Sequence, residues 1–106
     1  MKYIIAFVTA SSEKEAEKIA DGLIDAKACA CVNIIPKVKS IFIWEGKKDK
    51  AQESLLIIKT TQAGFKRLKA LVRKLHSYTT PEIIGIDISQ GDKQYLDWIS
   101  SVVRGV

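Results

Sequence analysis

The sequence predicts an α+β domain in which four strands and two helices follow one another as β-α-β-β-α-β, with a third helix at the C-terminus. Three observations carry that expectation. Four apolar runs are separated by two stretches of helical periodicity, with no helix between the second and third runs. Those two middle runs meet across a short polar segment, so they form a hairpin. Finally, the runs are apolar at odd and even positions alike, as strands covered on both sides are.

The first strand spans Lys2 to Thr9, with Tyr3, Ile5 and Phe7 on one face and Ile4, Ala6 and Val8 on the other. Ser12 then opens a helix through a capping box, in which Ser12 and Glu15 satisfy orphan N–H groups reciprocally. Ala16, Ile19, Ala20, Leu23 and Ile24 line one stripe of that helix, and Gly22 costs it about 1 kcal/mol against alanine. Ala28 to Ile35 is the next apolar run. Pro36 lacks a ladder donor and marks an edge or a bulge, after which pairing resumes from Val38 to Trp44. Gly46 to Lys50 is expected as the polar turn, and Glu53 to Thr60 as the third strand.

Phe65, Leu68, Leu71, Val72 and Leu75 form the stripe of the second helix, which must stop before Pro81. Glu82 to Ser89 is the fourth strand. Asp92 caps a last helix whose stripe is Tyr95, Leu96, Ile99, Val102 and Val103. This order is the split βαβ, ferredoxin-like arrangement, an antiparallel sheet with two helices on one face.

The chain has 106 residues, 47% of them apolar and 27% charged, the balance of one globular domain over residues 1–106. No apolar run approaches the roughly 18 residues of a membrane span. The N-terminal residues read as a strand rather than a signal peptide, so the expected compartment is the cytoplasm. Cys29 and Cys31 share a strand face with parallel Cβ vectors and are expected as reduced thiols.

Two helices cover only one face of a sheet that is apolar on both. The C-terminal helix can hide part of the second face, and a long hairpin carrying Phe42 and Trp44 projects beyond the rest. A soluble monomer would expose too much apolar area, so the chain is expected to be a homo-oligomer with open sheet faces packed together.

The formal net charge is +5. Lys66, Arg67, Lys69, Arg73 and Lys74 fall in a segment with no acid, and the remaining twelve bases are balanced by twelve acids. Such a segment is either a solvated helix face or a nucleic-acid footprint. No aromatic residues interleave with these charges, and the third strand lacks the aromatic signature of an RNA-recognition module, so no nucleic-acid partner is expected. No partnered nucleophile, HExxH, CxxC or glycine-rich phosphate loop appears, so no enzyme is expected.

Five stretches in register then resemble one family: Ala30-Cys31-Val32-Asn33-Ile34-Ile35-Pro36, Trp44-Glu45-Gly46-Lys47, Ile57-Ile58-Lys59-Thr60, His76-Ser77-Tyr78 ahead of Pro81-Glu82-Ile83-Ile84, and Tyr95-Leu96-Asp97-Trp98-Ile99. Together, over essentially the whole chain, they resemble the CutA divalent-cation-tolerance proteins. The resemblance implies a cytoplasmic homotrimer of ferredoxin-like subunits whose hairpins and sheet edges join between chains. It also implies a role in tolerance to copper and other divalent metals, and an architecture like that of the PII signalling proteins. A PII-like trimer that binds a small molecule between subunits is therefore the alternative function.

His76 is the only histidine, and Glu82 follows six residues on. An imidazole and a carboxylate suit copper(II) or zinc. The family's proposed copper ligands include a histidine matching His76, and a glutamate matching Glu82 lies close by. The sequence departs at Val8, where some members carry a cysteine, and at Leu75, where some carry a second histidine. Two ligands from one chain make at most a weak site unless a neighbouring subunit adds more. Alternatively, His76 caps its helix or makes an interface hydrogen bond. Cys31 has a packing role or, less simply, a thiolate one, and Lys59 needs either a partner or open water. Trp44 and Trp98 are expected as core or interface aromatics.

Overall fold

Strand β1 (Tyr3–Ala10) runs through the middle of the sheet, paired antiparallel on both sides. The computed structural model describes residues 2–104. The elements follow as α1 (Glu13–Asp25), β2 (Cys31–Trp44), β3 (Lys47–Thr61), α2 (Gln62–Leu75), β4 (Ile83–Asp87) and α3 (Lys93–Val102). The sheet order is β2-β3-β1-β4, all antiparallel, as the split βαβ arrangement requires.

Alternation sets the layers. Ile4, Ala6, Val8 and Ala10 of β1 are buried, as are Ser54, Leu56, Ile58 and Thr60 of β3. They pack beneath Ala16, Ile19, Ala20 and Leu23 of α1 and Leu68 and Val72 of α2. The residues between them face the other way. On β4 the register places Ile86 opposite Ile5 and Ile84 opposite Phe7, and these two isoleucines are 54% and 51% exposed. Helix α3 packs on β3, with Ile99 fully buried and Tyr95 near the Cys31 thiol. It covers only the end of the second face where Cys31 pairs with Lys59.

Three expectations need correction. First, the hairpin turn is tighter than Gly46–Lys50. Only Glu45 and Gly46 lie outside the strands, with φ of 51° and 77°, and Lys47–Lys50 pair with Ile41–Trp44. Two residues of positive φ make a turn whose twist matches the strands, so the ladder closes at once despite the polar sequence. Beyond the core both faces of this ribbon meet water, so lysines fit there as well as isoleucines. The hairpin stretches the molecule to 44 × 26 × 22 Å.

Second, β4 is Ile83–Asp87 rather than Glu82–Ser89, because its partners on β1 end at Val8 and Ile4. Glu82 therefore belongs to the loop before the strand. Third, the capping box is half formed. Ser12 Oγ accepts from the Glu15 N–H at 3.0 Å, but the Glu15 carboxylate does not reach back to Ser12. It accepts instead from the Ser11 N–H and hydroxyl, each at 2.9 Å, and from the Ser77 N–H at 2.8 Å.

Pro36 sits where the β2–β3 register slips between Ile35 and Val38, as its missing donor demands. Ser54 Oγ donates to the Pro36 carbonyl at 2.8 Å and secures the bulge.

Candidate functional site

Helix α2 ends at Leu75, and His76 is its C-cap, with extended backbone and an N–H donating to the Val72 carbonyl at 2.8 Å. The extended cap turns the imidazole inward, where its side chain is fully buried. Nε2 lies 2.7 Å from the Thr9 carbonyl oxygen, which accepts only, so Nε2 carries the proton. Nδ1 then accepts the Tyr78 N–H at 3.0 Å. Both ring nitrogens of a neutral imidazole are thus engaged. Glu15 Oε1 lies 3.9 Å from Nδ1, on the same side as Tyr78.

The loop that follows is pinned from three directions. Ser77 is held by Glu15, Tyr78 by His76 through backbone and ring, with ring centroids 4.6 Å apart, and the Tyr78 hydroxyl donates to Glu53 Oε2 at 2.9 Å. Glu53 is only 7% exposed, a buried acid on β3. Burial chiefly, then the Glu53 hydrogen bond and the charges of Glu53 and Glu15, push the Tyr78 phenol up to about 12, so it is a firm donor. Glu82 stands at the far end of the loop. Burial first, and then the charge of Glu53, raise its carboxyl above the ordinary range.

Glu53, Ser77, Tyr78 and Glu82 border a cleft of about 1060 Å³ between the hairpin and the loop, walled by Ile41, Phe42 and Trp44 and edged by Lys39, Thr79 and Thr80. Glu82 and Glu53 thus share the cleft, whereas the buried His76 ring does not line it. Among the described residues no three His, Cys, Asp or Glu side chains converge as a metal cage. His76 has no spare lone pair for a metal while it holds the loop. Glu53, Tyr78 and Glu15 were not singled out from the sequence as site residues. The available signal was Glu53 itself, an acid two places from Leu55 on the same apolar face.

A second polar cluster lies across the sheet. Lys59 donates to Asn33 Oδ1 and approaches Cys31 Sγ at 4.0 Å, which supplies the partner its place in an apolar strand demands. Cys29 and Cys31 are both free thiols. Cys29 is buried, and that burial first, with Cys31 adding to it, pushes its thiol up to about 12, so it is a packing residue. Trp98 and Tyr95, both part-exposed on α3, meet with ring centroids 5.5 Å apart and planes tilted by 46°, and Trp44 is exposed on the hairpin.

The CutA1 divalent ion tolerance protein family matches residues 4–102. A divalent-cation tolerance protein CutA from Archaeoglobus fulgidus is 47% identical over 98 residues, covering 92% of this chain and 95% of its own. Its counterpart from Thermus thermophilus is 43% identical over 95 residues, covering 90% and 92%. The solved structure of the Thermus thermophilus protein superposes with a TM-score of 0.95 at 40% identity, over 96% of this chain and 99% of that one. The Archaeoglobus fulgidus structure, described as a periplasmic divalent cation tolerance protein, gives 0.93 at 44% identity, over 96% and 99%. With residues 4–102 matched by the family and the fold superposed over 96% of the chain, this chain belongs to the CutA1 family of divalent ion tolerance proteins.

Proposed function

We propose that this chain is a non-enzymatic, cytoplasmic homotrimer that binds a divalent cation weakly, copper(II) or zinc, at the cleft beneath its hairpin. One observation carries the reading. Glu53 and Glu82 both line that cleft, and burial first, then the charge of Glu53, disfavours ionisation of Glu82. A divalent cation between them relieves the repulsion, and carboxylate oxygens are competent ligands for either metal. Two carboxylates give low affinity, and further donors come from a neighbouring copy.

Within this proposal Glu82 is a direct ligand. His76 joins it only through Nδ1, by surrendering the Tyr78 amide, and otherwise holds the loop that carries Glu82. The half-exposed Ile84 and Ile86 and the apolar hairpin support self-association, since a monomer would leave them in water. Two free thiols favour a reducing compartment. The size and aromatic walls of the cleft favour a small-molecule ligand as the second reading.

The test is a titration of the metal-free protein with copper(II) and zinc, with light scattering on the same sample and equilibrium dialysis against nucleotides in parallel. Metal binding that Glu82→Gln weakens, on a particle of three chains, is the expected result. Unchanged metal binding in Glu82→Gln sinks the ligand assignment. A single-chain mass sinks the trimer, and nucleotide binding without metal binding hands the cleft to the second reading.

A further inference from the structure

Helix α2 lies on the outer side of the sheet, away from the open face, and it carries the whole charge excess of the chain. Its inward stripe of Leu68 and Val72 is buried in the core. Outward it presents Lys66, Lys69, Arg73 and Lys74, all exposed, with the exposed Ala70 between them and Gln62 and Ala63 ahead of them. Successive positions 66, 69 and 73 fall on one line of the helix, and 74 lies beside it, so the four cations occupy a stripe about 12 Å long. Among the described residues the one ion pair is Lys93 with Asp97, and Glu15 approaches the neutral His76 ring at 3.9 Å; neither involves the stripe. Arg67 is not part of it, because its guanidinium donates to the Ala26 carbonyl and ties α2 to the end of α1.

What lies beside the stripe limits what can dock there. Helix α1 packs antiparallel to α2, with Gly22 against Leu75 and Ala26 against Arg67. Its exposed residues include Glu13, Glu17, Asp21 and Asp25 against two lysines, Lys14 and Lys18. A wide anionic body, such as a duplex or a bilayer, would bring its charge over these acids as well as over the stripe. A narrow chain can follow the stripe alone. The small Ala63 and Ala70 let a backbone come close, and the stripe offers no aromatic ring on which a base could stack. Nor does it carry a large apolar side chain to enter lipid.

We propose that the Lys66–Lys69–Arg73–Lys74 face of α2 is a docking site for an acidic segment of another protein, a peptide with carboxylates spaced along one side. Four unneutralised cations close together repel one another, and an acidic strand or helix removes that repulsion while steering its own approach. The site is independent of the cleft and stays exposed when the open sheet faces pack together.

The probe is a fluorescent ten-residue glutamate peptide, titrated with the full-length protein at low and at moderate salt, and read by anisotropy. Phosphatidylserine vesicles and a short DNA duplex form the competing arms. Binding is expected at low salt, weakened by added salt, and weakened by about tenfold or more in Lys69→Glu/Arg73→Glu. The same substitutions on the hairpin, Lys47→Glu/Lys48→Glu, are expected to leave it within about twofold, since those charges lie beyond the roughly 10 Å screening length. Circular dichroism verifies that both variants keep their helices. No peptide binding at low salt overturns the proposal, as does binding that the α2 variant leaves intact. Tighter binding of DNA or vesicles than of the peptide, lost on the same variant, assigns the stripe to that partner and overturns it too. So does salt-dependent growth of the particle without peptide, which would mean that the stripe binds the acidic α1 of other copies.

Discussion

The His76 imidazole donates through Nε2 to the Thr9 carbonyl at 2.7 Å, tying the end of α2 to the end of the central strand. Its other nitrogen receives the Tyr78 amide at 3.0 Å. His76→Ala leaves a carbonyl and an amide without partners in a buried place, and each such loss costs about 1–3 kcal/mol. The variant is expected to unfold at lower urea than the parent, with an unchanged slope, and Tyr78 should become mobile by NMR relaxation. A variant as stable as the parent contradicts this account of the ring.

Glu15 gives the same loop a dependence on acid. Burial alone would raise its carboxyl, but hydrogen bonds from Ser11 and Ser77 outweigh that and hold it at about 2, against an ordinary 4.5. A folded value below the unfolded one adds stability that is complete above about pH 4.5 and is lost as the pH falls toward 2. Urea midpoints measured across that window should fall with acid in the parent. In Glu15→Gln they should fall less steeply, because the group that takes up the proton is gone. Equal slopes for the two proteins refute the assignment.

Two helical glycines test how closely the helices approach. A Cβ on Gly64 would sit 2.5 Å from Val103 Cγ1, 2.6 Å from Thr60 Oγ1 and 3.2 Å from the Ala28 carbonyl. Thr60 is itself bonded to that carbonyl, so nothing there can yield cheaply. Gly64→Ala is expected to destabilise by about 1–3 kcal/mol. On Gly22 the Cβ would meet only the end of the Leu75 side chain, at 2.7 Å, which can rotate away. There the gain in helix propensity, about 1 kcal/mol, offsets the repacking, and Gly22→Ala is expected to be near neutral. Thermal unfolding of the two variants side by side decides the order.

Much of the fold was legible because alternation and helical periodicity are local. The stripe of Ile19 and Leu23, the Asp92 cap and the Pro36 bulge each follow from residues within one turn or one strand. The hairpin turn is not legible, because Lys47–Lys50 look like loop when taken alone. Only their register with Ile41–Trp44 makes them strand, and that register is set by backbone dihedrals at Glu45 and Gly46. The site was legible in part. His76 and Glu82 stood out as residue types, yet the contacts that fix their roles come from Thr9, Glu15 and Glu53. Those contacts span 67, 62 and 25 positions of sequence for the His76–Thr9, Ser77–Glu15 and Tyr78–Glu53 bonds. No local pattern encodes such distances.

The open face of the sheet yields the last prediction. Ile84 and Ile86 contribute nothing to the helix-side core, since their side chains point away from it and stay half exposed. Replacing Ile86 by aspartate therefore costs the fold of one chain little, within about 0.5 kcal/mol for an exposed position. Packing a second copy on that face is a different matter, because it buries an unpaired carboxylate, at a cost of several kcal/mol. Ile86→Asp is expected to remain folded by circular dichroism while its mass by light scattering drops to one chain at micromolar concentration. A changed mass with native ellipticity places the subunit contact on the sheet. An unchanged mass shows that the copies, if they associate, do so through the hairpin or α3, and that Ile84 and Ile86 remain in water in the assembly as they do in the single chain.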